Sequence, residues 1–413
     1  MDKDLMQKGV MRIEWAQEHM RVLSQVRQGL LASRALKGLR IAMALHVEAK
    51  TGVLALTLKE AGARLRLTSC NPLSTDDAVA VALNKHYGLD TRAKKWQTSE
   101  EYYESLHRVL DIKPQITIDD GGDLIFLLHT ERTELLDEVI GGNEETTTGI
   151  VRLRAMEAEG SLRFPVIAVN NAQMKHLFDN RYGTGQSTMD GIMTATNLLI
   201  AGRTFVVAGY GWCGRGIAMR ARGLGARVIV TEVDAVRAVE ASLDGFEVMR
   251  MMDAVSAADF VVSATGNREI VTRAHLRRMK DGCMLANAGH FDNEISKDAL
   301  AREAKKKRRA REFVDEYTLR DGRRVYLLAE GRLINLAAGQ GHPVEIMDMS
   351  FSIQALCAQH LALRGRGMEP RVYDVPREID EEIASLALDN QGIEIDRLTP
   401  MQREYLSSWR EGT

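Results

Sequence analysis

A glycine-rich turn between two apolar runs constrains the fold of this chain more than any other feature. The run Phe205 to Ala208 is typical of a buried strand, and it leads into the pattern Gly-x-Gly-x-x-Gly at 209–214. A helical segment follows, then a second apolar run from Val228 to Val230, and then the acid Glu232. Strand, turn, helix, strand and acid in this order predict a dinucleotide-binding βαβ unit. A parallel α/β unit that binds no ligand is the alternative.

Each part of this unit has a physical role. Gly209 permits the tight turn, Gly211 lets the backbone approach a pyrophosphate, and Gly214 allows close packing of helix on strand. The amino end of the helix then faces the phosphates. Glu232 can accept hydrogen bonds from a ribose diol and would repel a 2′-phosphate, so the sequence favours NAD over NADP.

The unit begins near the middle of a 413-residue chain, which is too long for one core and indicates about two domains. Further apolar runs predict strands at 39–45, 64–69, 116–118, 166–169, 260–264 and 284–286. Polar residues follow several of them, as expected where the carboxyl ends of parallel strands form a ligand crevice. We therefore predict an α/β, two-domain fold, with a Rossmann-type NAD domain inserted between parts of an α/β substrate domain and a C-terminal helical arm.

The expected boundaries follow from breaks in the apolar pattern. They are 1–182 for the substrate domain, 183–340 for the NAD-binding domain, 341–375 for the return to the substrate domain, and 376–413 for a C-terminal oligomerisation arm. The first break lies where Tyr-Gly-Thr-Gly at 182–185 interrupts the pattern. Four apolar residues of the arm have spacings that could bury a face against a partner, namely Ile379, Ile383, Leu386 and Leu388. An arm folded back on its own chain is the alternative. Residues 13–36 read as one helical opening, and the charge run 305–309 as a solvated helix face.

Composition limits the classes of partner. The formal net charge is −2, so the chain offers no electrostatic case for nucleic acid or an anionic membrane. No apolar run approaches the length of a membrane span and the N-terminus does not resemble a signal peptide, so we expect a cytoplasmic protein. Its cysteines lack C-x-x-C spacing and predict reduced thiols and no metal site. They are Cys70, Cys213, Cys283 and Cys357.

Other segments carry chemistry that the residues alone leave open. The stretch 142–149, Gly-Asn-Glu-Glu-Thr-Thr-Thr-Gly, suits sugar or cofactor hydroxyls, or a helix start capped by Asn143. Lys175 and Asp179 share a helix face, as an acid–base couple or as a plain surface pair. Three histidines follow presumed strands or lie in a glycine-rich turn, where a structural role is the alternative to catalysis. They are His46, His290 and His342.

Six segments in one order closely resemble the S-adenosyl-L-homocysteine hydrolase family. They are Asp-Asp-Gly-Gly-Asp-Leu at 119–124, Glu-Glu-Thr-Thr-Thr-Gly at 144–149, Lys-x-x-Phe-Asp-Asn-x-Tyr-Gly at 175–183, Val-Ala-Gly-Tyr-Gly at 207–211, Asn-Ala-Gly-His-Phe-Asp at 287–292, and 328–336 with Gly-His-Pro at 341–343. The resemblance covers about 15–405 and is greatest to the short archaeal and thermophile-type branch. That branch shares Gly-Tyr-Gly-Trp-Cys-Gly-Arg-Gly at 209–216 and the ending at 409–413.

The resemblance implies a reaction of the methyl cycle, in one-carbon metabolism. S-adenosyl-L-homocysteine would be reversibly hydrolysed to adenosine and L-homocysteine by 3′-oxidation with tightly bound NAD, elimination, water addition and re-reduction. It also implies a homotetramer acting on a small-molecule nucleoside thioether. S-inosyl-L-homocysteine hydrolysis is the alternative. An NAD-dependent 2-hydroxyacid or amino-acid dehydrogenase, or a non-enzymatic NAD-sensing module, is a weaker one.

The resemblance assigns roles by matched motif. Lys175 with Asp179 would serve the hydride step, Asp120 would take the C4′ proton, and His342 would contact the base. The implied catalytic residues are His46, Asp120, Glu145, Lys175, Asp179 and His290. The implied substrate-binding residues are Glu48, Lys50, Asp120, Glu145, Lys175, Asp179 and His342. The implied cofactor-binding residues are Thr146, Thr147, Thr148, Asn180, Gly209, Tyr210, Gly211, Trp212, Cys213, Gly214, Glu232, Arg237, Ala288, Gly289, His290 and Asn335.

The chain departs from the family's longer members at several positions. Lys50 replaces a glutamate that faces the base, and Arg237 replaces an asparagine that contacts the adenosine half of NAD. Asn171 stands where those members have aspartate, and the chain lacks their Lys- and Tyr-bearing tail. Because an ammonium only donates hydrogen bonds, Lys50 favours a 6-carbonyl base over adenine. Glu48 could instead pair with Lys50 or itself accept from adenine.

Overall fold

Two separate β-sheets organise the chain in the computed structural model, which describes residues 2–409. The first sheet contains the parallel strands β1 (Arg40–Ala44), β2 (Arg64–Thr68), β3 (Asp90–Thr91), β4 (Ile116–Asp119), β5 (Gly141–Glu144), β6 (Val166–Ala168) and β15 (Val372–Asp374). Their order across the sheet is β15-β6-β5-β4-β1-β2-β3. The chain therefore leaves this sheet after β6 and returns to it near its C-terminus.

The second sheet is formed entirely by the intervening segment. Its strands are β7 (Thr204–Ala208), β8 (Arg227–Thr231), β9 (Glu247–Val248), β10 (Phe260–Ser263), β11 (Cys283–Asn287), β12 (Ala304–Arg311), β13 (Val314–Leu319) and β14 (Arg324–Leu328). Their order is β12-β13-β14-β11-β10-β7-β8-β9, with only the β12–β13 and β13–β14 pairs antiparallel. The predicted insertion of one α/β domain into another is confirmed.

Helices separate most of the parallel strands, because parallel neighbours need a crossover connection. The α-helices are α1 (Asp2–His19), α2 (Arg21–Ser33), α3 (Ala49–Glu60), α4 (Asp77–Lys85), α5 (Ser99–Leu110), α6 (Asp123–Thr130), α7 (Thr147–Ala158), α8 (Gln173–Lys175), α9 (Thr184–Thr196), α10 (Trp212–Gly223), α11 (Ala235–Leu243), α12 (Met251–Ala254), α13 (Arg273–Leu276), α14 (Lys297–Glu303), α15 (Ile334–Ala337), α16 (Val344–Arg364), α17 (Arg377–Gln391) and α18 (Pro400–Ser407). A π-helix, His176–Gly183, joins α8 to α9. No helix in residues 2–409 is both long and apolar enough to cross a membrane.

Both faces of each sheet are buried. Along β1, Ile41 and Met43 belong to one apolar cluster, whereas Ala42 and Ala44 belong to another on the opposite face. Val206 and its neighbours in β7 divide between two clusters in the same way. Strands buried on both faces are near-continuous apolar runs, which explains why the strand predictions at 39–45, 64–69, 116–118, 166–169, 260–264 and 284–286 are confirmed.

Two local predictions are wrong. Residues 13–36 do not form one helix, because Met20 has non-helical angles (φ −95°, ψ 67°) and separates α1 from α2. The charge run 305–309 is not a helix face, because it lies in the edge strand β12. There Lys307 and Arg309 pair with Asp315 of β13. Strand pairing and cross-strand ion pairs outweigh the intrinsic helix propensity of lysine, arginine and alanine.

The helical structure is not interrupted at 182–185, where the sequence pattern breaks. The glycines there instead allow close packing. The π-helix runs directly into α9. A Cβ on Gly185 would lie 2.6 Å from the carbonyl carbon of Gly216 in α10, and one on Gly183 would lie 2.9 Å from Nδ1 of His342. Glycine is therefore placed here for packing between the crossing helix and its neighbours.

The predicted arm divides into two parts. Ile379 and Ile383 of α17 are buried in the core of the first sheet, where α17 packs on α16 and α2. For α17, the alternative of an arm folded back on its own chain is therefore confirmed. Residues 393–407 are exposed throughout in the single chain. Residues 410–413, which the sequence assigned to the same arm, lie outside the described residues.

Candidate active site

A cleft of about 1210 Å³ is lined by residues that follow strands of both sheets. His46 follows β1, Asp120 follows β4, and Glu145 follows β5. Gly209 and Gly289 follow β7 and β11 of the second sheet. Because the carboxyl ends of parallel strands lie at one edge of each sheet, the fold brings these separate motifs into one site.

A buried ammonium group lies at the centre of the substrate half. Nζ of Lys175 is 3.2 Å from Oε1 of Glu145 and 3.3 Å from Oδ1 of Asp179. It also donates to the side-chain oxygens of Asn170 at 3.2 Å and Asn180 at 3.0 Å. The wider turn of the π-helix places its fourth and fifth following residues, Asp179 and Asn180, on the same side as Lys175. Burial of this group rules out the alternative of a surface pair.

The two carboxylates beside this ammonium differ in proton affinity. Burial is the largest influence on Glu145 and raises its pKa to about 7, although Lys175 opposes the shift. Burial also acts to raise the pKa of Asp179, but Lys175, His342 and Ser350 together hold it well below its usual range. Burial acts to lower the pKa of Lys175, yet the adjacent carboxylates raise it above its usual range. Asp179 is therefore the permanent anion of the group, and Glu145 titrates near neutrality.

A second cluster centres on Asp120. His46 Nε2 lies 3.3 Å from Oδ2 of Asp120, and His290 Nδ1 lies 3.6 Å from Oδ1. Burial lowers the pKa of His46 to about 4, against the opposing effect of Asp120. His46 is therefore neutral at physiological pH and can accept a proton. The nitrogens of the two histidines and a carboxylate oxygen of Asp120 lie within 4.8 Å of one another, which is also a spacing suited to a cation; the sequence predicts no metal site.

Residues that the sequence did not single out complete these clusters. Sγ of Cys70 lies 3.2 Å from Nδ1 of His46, which also contacts Oγ of Ser74 at 2.7 Å. Ser350 and Gln354 of α16 donate to Asp179 and Glu145 at 2.9 and 2.6 Å. Cys70 directly follows the strand predicted at 64–69, so the polar strand-end rule could have found it. The two α16 residues have no local signal, because their partners lie more than 150 positions away in sequence.

The cofactor half has a backbone suited to a pyrophosphate. Gly209 has φ +95°, and a Cβ on Gly211 would come no closer than 3.7 Å to a side chain, that of Arg237. Helix α10 starts at Trp212 without a side-chain cap, so its first N–H groups are free to bind phosphate. The residues therefore fit a dinucleotide. The predicted cofactor residues that line the cleft are Thr146, Thr147, Thr148, Asn180, Gly209, Gly211, Trp212, Cys213, Glu232, Arg237, Ala288, Gly289, His290 and Asn335.

Two predicted cofactor residues do not line the cleft. The ring of Tyr210 is fully buried near Phe246, and its hydroxyl donates to Asp244 at 2.6 Å. Gly214 lies against the Gly209 carbonyl oxygen, where a Cβ would overlap it. Both residues therefore pack against the side of the turn that faces away from the cleft. The N–H of Tyr210 donates to Oε2 of Glu232 at 2.6 Å.

The predicted base-recognition residues form a third group. Glu48 caps α3, accepting from the N–H groups of Lys50 and Thr51. Nζ of Lys50 lies 2.9 Å from Oε2 of Glu48 and donates to the carbonyl oxygen of Gln340 at 3.0 Å. Nδ1 of His342 lies 3.2 Å from Oδ1 of Asp179. The crossover segment at 340–342 thus contacts the substrate domain through Lys50 and Asp179.

Comparison with known families agrees with this geometry. The model described as "S-adenosyl-L-homocysteine hydrolase" matches residues 1–137, and the model of the NAD-binding domain of that enzyme matches 180–341. The chain belongs to the S-adenosyl-L-homocysteine hydrolase family. The NAD-binding domain thus lies within the segment that carries the second sheet and the glycine-rich turn.

Relatives of this hydrolase family cover the whole chain. An S-inosyl-L-homocysteine hydrolase of Methanocaldococcus jannaschii is 57% identical over 100% of this chain and 99% of its own length. An adenosylhomocysteinase of Archaeoglobus fulgidus is 58% identical over 98% of this chain and 100% of its own length, and that of Thermoplasma volcanium is 56% identical over 98% and 99%. The chain is therefore an adenosylhomocysteinase or an S-inosyl-L-homocysteine hydrolase, and not a dehydrogenase. Relatives named for each of the two substrates match at similar identity.

One contact between the two domains of this hydrolase, that of His290 with Asp120, depends on a single glycine. Gly121 has φ +104°, and a Cβ there would overlap Nε2 of His290. Gly122 has φ +79°, but a Cβ there would meet nothing closer than 3.7 Å. A side chain at either position would be strained by the positive φ. Only a side chain at Gly121 would also keep His290 from approaching Asp120.

We expect Gly121→Ala to reduce hydrolysis at least ten-fold more than Gly122→Ala, because only the former pushes His290 away from Asp120. Steady-state rates and melting temperatures of both variants measure this. The melting temperatures should fall by similar amounts, since both variants strain a left-handed backbone. Equal rates for the two variants would show that the His290–Asp120 contact is not needed for turnover.

Proposed function

We propose that this chain catalyses the reversible reaction of an S-nucleosyl-L-homocysteine with water to give a nucleoside and L-homocysteine, through transient oxidation at C3′ of the ribose. NAD bound at the glycine-rich turn would supply the hydride acceptor and donor. The observation that carries the proposal is the buried Lys175 with its two carboxylates, in the same cleft as that turn. A redox site and an acid–base site in one cleft suit a reaction that uses oxidation but has no net redox change.

The residues of the first cluster suit the chemistry at C3′. Lys175 would take the proton of the 3′-hydroxyl as the hydride leaves carbon, and Asp179 would hold Lys175 in place as a permanent anion. Because a carbonyl at C3′ acidifies the hydrogen at C4′, a base near C4′ is needed next. Asp120 would take that proton, and the homocysteine sulfur would leave C5′.

The neutral His46 suits the second half of the cycle. It contacts Asp120 and is buried, so it can receive from Asp120 the proton taken from C4′, pass it to the departing sulfur, and later take one from the attacking water. His290 reaches the same carboxylate from the cofactor domain and would exclude bulk water from the intermediate. Asp120 and both histidines would thus act at C4′ and C5′, which are one and two bonds from C3′, where Lys175 would act.

We expect the purified protein to release a free thiol from S-adenosyl- or S-inosyl-L-homocysteine without added NAD, because every hydride removed from substrate is returned within the cycle. NAD content should be close to one per chain, and substrate should produce a transient absorbance of reduced nicotinamide. A thiol reagent and stopped-flow absorbance measure the two signals. Steady accumulation of reduced nicotinamide in proportion to product would contradict the proposal.

We propose S-inosyl-L-homocysteine as the better substrate, on the evidence of Lys50. Glu48 is committed as the cap of α3 and as the partner of Lys50, so its carboxylate is not free to accept from a 6-amino group. Lys50 uses two of its three protons on Glu48 and on the carbonyl of Gln340. Its third proton suits the 6-carbonyl oxygen of hypoxanthine.

Substitution Lys50→Glu should shift the ratio of kcat/KM for the inosyl over the adenosyl substrate toward adenosyl by about ten- to a hundred-fold, the value of a charged hydrogen bond of roughly 1.5–3 kcal/mol. Lys59→Glu is the matched control. It lies on the same helix, and Nζ of Lys59 donates to the carbonyls of Tyr87 and Gly88, which do not line the cleft. The control should leave the ratio unchanged, and an unchanged ratio in Lys50→Glu would mean that Lys50 does not read the base.

We also propose a homotetramer, which the family resemblance implies. The exposed apolar side chains near the C-terminus support an interface between copies, because a single chain leaves them in water. They are Ile393, Ile395, Leu398, Met401, Leu406 and Trp409. Light scattering of the purified protein should give about four times the 46.0 kDa chain mass, and a monomer mass would reject the assembly.

A further inference from the structure

One face of α16 holds the two carboxylates that contact Lys175. Ser350 and Gln354 are four residues apart, so both point to the same side of the helix. Oγ of Ser350 donates to Asp179 at 2.9 Å, and Nε2 of Gln354 donates to Oε2 of Glu145 at 2.6 Å. Both residues have zero exposure.

The backbone of Gln354 is fixed independently of its side chain. Its carbonyl oxygen accepts from Nδ2 of Asn143 in β5 at 3.0 Å. Six residues earlier in the same helix, Asp348 accepts from the N–H groups of Val22 and Leu23 at 2.9 and 2.7 Å. Gln354 therefore presents its amide to Glu145 from a rigid support.

Glu145 has fewer stabilising partners than Asp179. Asp179 receives hydrogen bonds or ion pairs from Lys175, His342 and Ser350. Glu145 receives only those of Lys175 and Gln354 among the described side chains. The charged or titratable groups that face Glu145 are Lys175, Asp179, Asp120 and the Cys357 thiol. Of the two carboxylates beside Lys175, Glu145 is the one that can take a proton at neutral pH.

The amide of Gln354 can serve both protonation states of Glu145. In the structure Nε2 donates to Oε2 of Glu145, which suits the ionised carboxylate. Within residues 2–409, Oε1 of Gln354 is buried and makes no hydrogen bond. A half-turn of the amide would present this free acceptor to Glu145, and a protonated carboxyl group has one O–H to donate. An apolar or purely donating side chain at this position could not do both.

We propose that Gln354 is a positioning residue that lets Glu145 act as the proton acceptor for Lys175. The ammonium of Lys175 transfers one proton to the carboxylate of Glu145, which gives a neutral amine and a neutral carboxyl group. The amine can then accept the proton of the 3′-hydroxyl. In the second half of the cycle Glu145 returns its proton to Lys175. This inference rests on the proposed function, because it explains how a charged lysine becomes a base.

The test is the pH dependence of the first-turnover rise in reduced-nicotinamide absorbance. Glu145 must be ionised to accept a proton, so the rate falls as pH drops through its pKa. Because Gln354 favours the charged form, Gln354→Leu should raise that pKa and move the acidic limb up by about one pH unit. Gln354→Glu, which keeps the size of the side chain, should move the limb in the same direction, because two adjacent carboxylates cannot both ionise easily.

Gln359→Leu is the matched control on the same helix. Gln359 donates to Ser33 outside the cleft at 2.8 Å, so this variant should keep the parent's pH profile. NAD content and melting temperature should be measured for all variants. If Gln354→Leu does not fold, Gln354→Glu gives the same measurement in a side chain of equal size.

The outcomes separate this inference from the function on which it rests. A parent that gives no thiol and no transient absorbance contradicts the proposed function. An active parent with Gln354 variants that are slower but have an unmoved acidic limb overturns the role of Gln354, since lost packing alone lowers the rate without shifting a pKa. A limb that moves up in both variants, with NAD content unchanged, supports the inference.

Discussion

The site depends on the burial of one ammonium group, that of Lys175. A buried cation is tolerated only when its protons are met by acceptors and its charge by anions. Those acceptors come from the end of β6, the loop after β5 and the π-helix itself. A regular α-helix would not place Asp179 and Asn180 together beside Lys175, so the π-helix is a requirement of this charge and not an irregularity.

The same charge explains why the substrate domain is interrupted. The helix that carries Lys175 and Asp179 leads directly into α9 and the cofactor domain, and the helix that fixes both carboxylates, α16, begins only after the chain has returned. Neither half of the substrate domain holds the site alone. Close packing of Gly185 on Gly216 ties the outgoing helix to α10, whose amino end faces the cofactor cleft. The position of the cofactor is thereby coupled to the position of Lys175.

Sequence reasoning was most effective where one local pattern carried the information. Strands buried on both faces are continuous apolar runs, and the polar residues after them lie at one sheet edge, so His46 and Asp120 could be predicted at that edge. Glu145 follows β5, whose sequence Gly-Gly-Asn-Glu is not an apolar run, so only the family resemblance gave it a role. The predictions that were wrong, and the residues that were missed, have physical reasons. Lysine and arginine in β12 favour a helix locally, and only pairing with β13 makes them a strand. Gln354 acts on a partner 209 positions away, and no periodicity records a contact of that kind.

The proposed recognition of the base and the crossover between domains both involve Lys50. Its ammonium contacts the cap of α3 and the carbonyl of Gln340, and two residues further on His342 contacts Asp179. Movement of the 340–342 segment would therefore disturb both the proposed base contact and the carboxylate that contacts Lys175. A base that satisfies the remaining proton of Lys50 would stabilise the segment in the position that keeps Asp179 paired. Recognition of the base would then increase the fraction of molecules whose lysine is correctly placed, so specificity would be expressed in kcat as well as in KM.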